Sequence, residues 1–302
     1  MRRSITLWIL ALLITLASAY WQRKSGPTYP VDGIVDLCGM SVHYSLTRTH
    51  AGAGDQEFVL VAPDMRIKGR MMYRRVNSED PWTVVVFKRE ADRLVGSLPH
   101  QPPAGKLEYT VELLCATERA TLSDGGRAVV TRFKGDVPAG VLIPHILLMF
   151  IAMLVSTRAG MEALFSDGNS RPYAVWTLSL LTAGGLVLGP LVQHYAFGEY
   201  WTGVPYGTDL TDNKTLIAFV AWFVAMVAVW NRSLHHSHPG RRWYVVAASL
   251  ILLAVFVIPH SMWGSELKYE APSKTSSRSS SPVLFMERAA DVPGLACFHT
   301  DA

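Results

Sequence analysis

Imidazole is a neutral donor at neutral pH, suited to axial haem ligation or to binding a divalent cation. His145, His194 and His260 each stand close to one end of a long apolar run, and the alternation of the runs predicts that all three ends share one membrane face. Neighbouring antiparallel helices of a bundle bring such ends within about 10 Å of one another. Beside them the loop 194–214 carries Tyr200, Trp201, Asp209 and Asp212. The two aromatics offer a wall or stacking surface. The two carboxylates could orient the imidazoles from behind or coordinate a cation through oxygen. These seven residues form the candidate cofactor-binding set, with haem or a metal as ligand and no catalytic residue assigned. Blander roles stand beside each: histidine is tolerated at an interface as Trp and Tyr are, and Thr211 or Asp212 can cap the helix after the loop.

The elements that must position this set are membrane helices. Only 17% of the 302 residues are charged and 50% are hydrophobic, against about 25% charged in a soluble domain. Four runs, at about 137–157, 173–193, 214–231 and 243–259, are nearly free of charge and approach the ~20 residues that cross a bilayer. They predict a four-helix transmembrane bundle over residues 137–260, with no charge deep inside it. Ser179, Thr182 and Gly184-Gly185 are small enough for close helix packing. An N-terminal run at 5–19 comes after Arg2-Arg3 and makes residues 1–24 a signal peptide, cleaved at Ala17-Ser18-Ala19, or a retained anchor flanked by Trp21-Gln-Arg-Lys24.

Basic residues set the orientation. The loop Asn231-Arg-Ser-Leu-His-His-Ser-His-Pro-Gly-Arg-Arg242 is strongly basic and belongs inside, whereas the loop 194–214 has three acids against one lysine and belongs outside. The His235-His236-Ser-His238 tract reads as part of that basic loop, or as a transition-metal tract. The chain is thus expected in a bacterial cytoplasmic membrane, with residues 25–136 and a Ser-rich tail at 261–302 on the extracytoplasmic side. The net charge of +4 reflects this asymmetry and implies no nucleic-acid partner.

Residues 25–136 alternate as strands do. Runs at 41–47, 57–62, 66–76, 82–88, 93–98, 107–114 and 127–133 are separated by turns such as Ala51-Gly-Ala-Gly-Asp55 and Ser123-Asp-Gly-Gly126. Seven short strands in about 100 residues predict an all-β sandwich. On this strand rhythm the domain resembles immunoglobulin-like or fibronectin type III modules, with Trp82 as a core tryptophan. Cys38 and Cys115 can pair in an oxidising compartment, leaving Cys297 over. The segment 98–109 is a stiff Pro/Gly connection or a recognition loop.

Phe197-Gly-Glu-Tyr-Trp201, Pro205, Asp209 and Asn213-Lys-Thr-Leu-Ile-Ala-Phe-Val-Ala-Trp222 resemble the tryptophan-rich loop of haem-handling proteins in cytochrome c biogenesis. In that family the loop runs directly into a transmembrane helix, and histidines on adjacent helices ligate haem. This chain has one loop tryptophan where the family has several. The Trp-Thr-Gly…Thr-Asp-Asn-Lys loop also resembles uncharacterised bacterial membrane proteins. No phosphate-binding glycine loop, H-E-x-x-H, C-x-x-C or C-x-x-C-H occurs. The sequence therefore reads as a non-catalytic membrane protein with an outer-face haem or metal site, set in respiratory or cytochrome assembly. The alternative is an interaction scaffold whose β-sandwich binds a protein or cell-wall partner, with the helices as anchor. An outer-leaflet enzyme using Glu199, His194 and Asp209 as acid and base is a third reading.

Overall fold

A computed structural model of the chain describes residues 2–165, 168–230, 239–259 and 267. His260, the histidine tract at 235–238, Cys297 and all of the expected tail except Leu267 lie outside the described residues. The chain divides into two units, Met1–Lys268 and Tyr269–Ala302, and every described helix and strand belongs to the first.

An apolar helix, α1 (Arg2–Ser25), precedes the sheet region. Four helices come after it: α2 (Ala139–Ala163), α3 (Arg171–Phe197), α4 (Leu210–Trp230) and α5 (Arg242–Val257). Helices α1 to α4 are long and apolar enough to cross a membrane, and α5 is apolar but shorter, at 16 residues. Three boundaries differ from expectation. Helix α2 runs past residue 157 to Ala163, so its last turns carry charge beyond the expected run: Arg158 is 2% exposed and bonds Glu162 at 2.6 Å. The guanidinium also lies 4.8 Å from the Tyr173 ring, and that aromatic face compensates the desolvated cation. Helix α3 extends to Phe197, which places His194 inside its last turn instead of beyond it. Helix α4 begins at Leu210, four residues early.

Helix α1 belongs to this bundle. Leu7, Ala11, Thr15 and Ser18 are its buried stripe, Trp8 packs edge-on against Tyr173 with ring centroids 6.0 Å apart, and Arg3 reaches Glu162 at 3.7 Å. Ala17-Ser18-Ala19 lies in mid-helix, where the Ser18 hydroxyl donates to the Ile14 carbonyl at 2.8 Å.

The sheet region has eleven strands: β1 (Val31–Leu37), β2 (Met40–Leu46), β3 (Thr49–Ala51), β4 (Gln56–Val61), β5 (Ile67–Arg75), β6 (Thr83–Val86), β7 (Lys88–Glu90), β8 (Arg93–Leu98), β9 (Lys106–Cys115), β10 (Glu118–Leu122) and β11 (Val129–Lys134). One sheet has the order β3-β11-β9-β5-β6, with β10 also on β9; another has β4-β8-β7; and β1 and β2 form a hairpin. All pairings are antiparallel except β3 with β11. Strand β4 shows the alternation that builds this region, with Gln56, Phe58 and Leu60 inward and Glu57, Val59 and Val61 outward. Phe58, Leu60, Met71, Leu94, Leu98, Val111, Leu113 and Phe133 meet in one continuous core, each such side chain contributing about 1.5–3 kcal/mol.

The single strand expected at 82–88 is two. Phe87 turns inward between β6 and β7, donates its N–H to the Gly69 carbonyl at 2.9 Å, and sends the chain from one sheet to the other. A Cβ at Gly96 would stand 2.4 Å from its ring, so glycine is required there. Trp82 is not a core residue. It is 42% exposed and lies against Arg74, 4.7 Å from guanidinium carbon to ring centroid. Cys38 and Cys115 form a disulfide, joining the β1–β2 turn to the end of β9 across 77 residues of sequence.

Candidate site at the seam between sheets and helices

Helix α3 is interrupted by a π-helical turn, Thr182–Leu188, immediately before Gly189-Pro190. Pro190 has no N–H for the Leu186 carbonyl, and the wider turn accommodates that loss. Gly184 and Gly185 are buried within it. A Cβ on Gly184 would meet Leu148 at 2.9 Å, and one on Gly185 would meet Thr215 at 2.9 Å, so these glycines let α2 and α4 close in. Ser179 and Thr182, also expected at helix contacts, are exposed instead.

His145 enters this region from α2. Its Nδ1 lies 2.9 Å from the Gly184 carbonyl oxygen. A carbonyl only accepts, so Nδ1 carries the proton and the neutral ring keeps its lone pair on Nε2. Among the described residues this is the ring's one hydrogen bond.

The loop after α3 folds back on the start of α4. Gly198, at φ 86°, ends α3, as a left-handed C-terminal glycine does. The Asp212 carboxylate, 6% exposed, then accepts the N–H groups of Thr202 at 2.6 Å and Gly203 at 3.0 Å, and Asn213 Oδ1 accepts that of Val204 at 2.7 Å. Asp209, and not Thr211 or Asp212, caps α4, its Oδ1 accepting from Thr211 N at 2.7 Å and Asp212 N at 3.4 Å. The Trp201 indole donates to the Val204 carbonyl at 3.1 Å. Lys214 in turn caps the end of α5, its Nζ 2.8 Å from the Ile258 carbonyl.

These pieces enclose a cavity of about 290 Å³. His145, Trp201, Asp209 and Asp212 line it, four of the seven candidates. Its apolar walls include Ile146, Phe150, Val192 and Phe256. The sheet region supplies Arg132 from β11, whose guanidinium stacks 4.1 Å from the Phe197 ring centroid, and α1 supplies Gln22. A backbone bond from Gly135 N to the Ala196 carbonyl at 2.9 Å holds the seam nearby.

His194 and Tyr200 are not brought to the cavity wall. Their rings stack on each other with centroids 4.1 Å apart, and His194 Nδ1 lies 3.0 Å from the Gly198 carbonyl oxygen. Glu199 is exposed, so the acid–base trio with His194 and Asp209 does not assemble in the cavity. Among the described residues no group of three His, Cys, Asp or Glu side chains could hold a metal ion. Among the described residues the cavity offers haem one axial nitrogen, at His145. Yet the cavity lies at the floor of the ~300–1,000 Å³ range of ligand clefts, which suits a single ring better than a macrocycle.

Sequence reasoning missed Arg132, Gln22 and Phe197. Arg132 sits in a strand where alternation alone sends a charge outward. Pro190 inside an apolar run was the legible sign that α3 is distorted beside His145.

No family model, curated protein or solved structure matches the chain.

Proposed function

We propose that this chain is an integral protein of a bacterial cytoplasmic membrane that binds the ring head of a lipid-soluble molecule in the seam cavity, with the sheet region extracytoplasmic. The observation that carries this reading is the cavity itself: His145 with its Nε2 lone pair, two carboxylates and Arg132, enclosed by apolar side chains. Few convergent polar groups in an apolar cleft are what a small-molecule site needs. Four helices long and apolar enough to span supply the membrane. The Cys38–Cys115 disulfide supports an oxidising compartment for the sheets, and the basic 231–242 segment supports an inner loop. In this reading α1 is a retained anchor, supported by its packing on the other helices.

The sheet region is read as immunoglobulin-like. In support, β4-β8-β7 and β11-β9-β5-β6 match the B-E-D and G-F-C-C′ strand orders of that fold.

Organic extraction of detergent-purified protein tests the ligand reading, with visible spectra of oxidised and dithionite-reduced samples taken alongside. A stoichiometric lipid-soluble ring compound, absent from a Gly185→Leu variant, is the expected result. A Soret band that shifts on reduction would replace this ligand by haem. An empty extract and a featureless spectrum would remove the reading.

A second reading has its own observation. Strand β6 is an edge strand that exposes Val84 and Val86, at 52% and 71%. An unpaired apolar edge can accept a strand from another membrane or extracytoplasmic protein. A scaffold of this kind loses its partner on Val84→Lys and is indifferent to His145 substitution; cross-linking from β6 in intact membranes tests it.

A further inference from the structure

The chemistry of the cavity narrows the ligand proposed above, and the inference rests on that reading. We infer that the cavity recognises a ring by its hydroxyl group, and that the ligand is a hydroquinone with an apolar tail in preference to the corresponding quinone.

Donors and acceptors decide between the two. The Gly184 carbonyl holds the His145 proton on Nδ1, which makes Nε2 an acceptor. Asp209 and Asp212, on the same lining, are carboxylates, and carboxylates only accept when ionised. The bundle side of the cavity thus carries acceptors at His145, Asp209 and Asp212, the two carboxylates also holding backbone N–H groups of the loop and of the start of α4. The Gln193 amide, the nearby donor on α3, is directed at the Thr202 hydroxyl at 2.7 Å. A quinone carbonyl, itself an acceptor, would set lone pair against lone pair at His145. A hydroquinone hydroxyl would donate there. From the sheet region Arg132, also on the lining, lies over Phe197 and suits the second ring oxygen, which can accept in either redox state. Ile146, Phe150, Val192 and Phe256 provide the apolar contact that a ring and the root of its tail require.

The test is anaerobic titration of the full-length protein in nanodiscs with decylhydroquinone and with decylquinone. One hydrogen bond made or lost in an apolar site changes affinity by about tenfold. The expected result is about tenfold tighter binding of the hydroquinone. His145→Leu abolishes this preference, while His145→Gln, which retains an acceptor oxygen, preserves part of it. Should the leucine variant fail to fold, the wild-type preference and the glutamine variant decide the matter. Equal affinity of the two forms in the wild type overturns the hydroxyl inference and leaves the cavity as a ring site. Failure of both to bind overturns the cavity reading as well.

Discussion

His145 Nδ1 meets the Gly184 carbonyl oxygen at 2.9 Å, and that contact joins α2 to the π-helical turn of α3. It links the chain's most distinctive local distortion to its one cavity-lining imidazole among the described residues. It also fixes the tautomer, so that Nε2 keeps the lone pair.

Filling the glycine turn should close the site. In Gly185→Leu the new side chain starts 2.9 Å from Thr215 Cγ2 and grows into the cavity that Gly185 lines. Overpacking of this kind costs about 1–3 kcal/mol. The expected outcome is a lower thermal midpoint in detergent together with loss of decylhydroquinone binding. An unchanged affinity would mean that the ligand sits elsewhere.

The loop over the cavity depends on one carboxylate. Asp212→Ala leaves the Thr202 and Gly203 amides without their acceptor, at about 1–3 kcal/mol for each group that stays buried. Limited proteolysis should then cut between residues 198 and 209 in the variant while the sheet region survives intact. Equal resistance of the two proteins would show that the loop is held by other contacts.

Reduction acts on the sheet region. The disulfide closes a loop of 77 residues' separation, and loss of such a closure costs about 2–5 kcal/mol. In the Cys38→Ser/Cys115→Ser double variant, hydrogen exchange should accelerate in β1, β2 and β9. Exchange in the helices should be unaffected.

Acid should weaken the β4–β5 connection. Arg66 bonds the Asp64 carboxylate and holds its pKa at about 2. The folded value lies below the unfolded one of about 4. The associated stability is therefore full above the unfolded value and is lost as pH falls through the folded one. Asp64→Asn should flatten this part of the acid-unfolding curve monitored by circular dichroism. A curve superimposable on the wild type's would remove Asp64 from the account.

Alternation made most of the sheet region legible. Strand β8 falls on the expected 93–98, and β4, β5 and β9 lie within a residue or two of their runs. Strands β1, β3 and β10 were not among the expected runs; Thr49–Ala51 and Glu118–Leu122 are too short or too polar to show a period and are strands by virtue of β11 and β9. Trp82 misled for a similar reason: aromatic residues signal a strand, but only the sheet order reveals that β6 is an edge. The apolar runs were plain from hydropathy, whereas the buried Arg158 in the last turns of α2 was not, since its pairing with Glu162 and its contact with the Tyr173 ring appear only in the fold. Of the residues that line the cavity, His145, Trp201, Asp209 and Asp212 were singled out in the sequence by residue type. Arg132 was not, since its place at the seam depends on how β11 meets α3.

The central claim is that a lipid-soluble ring occupies the seam cavity, and a photoreactive benzoylphenylalanine at position 150, on the cavity wall, tests it most directly. Irradiation of the purified full-length protein in native-lipid nanodiscs should yield one adduct with the mass of a hydroxylated ring compound, suppressed by added decylhydroquinone and by Gly185→Leu. Cross-linking to bulk phospholipid alone, insensitive to both, would contradict the claim.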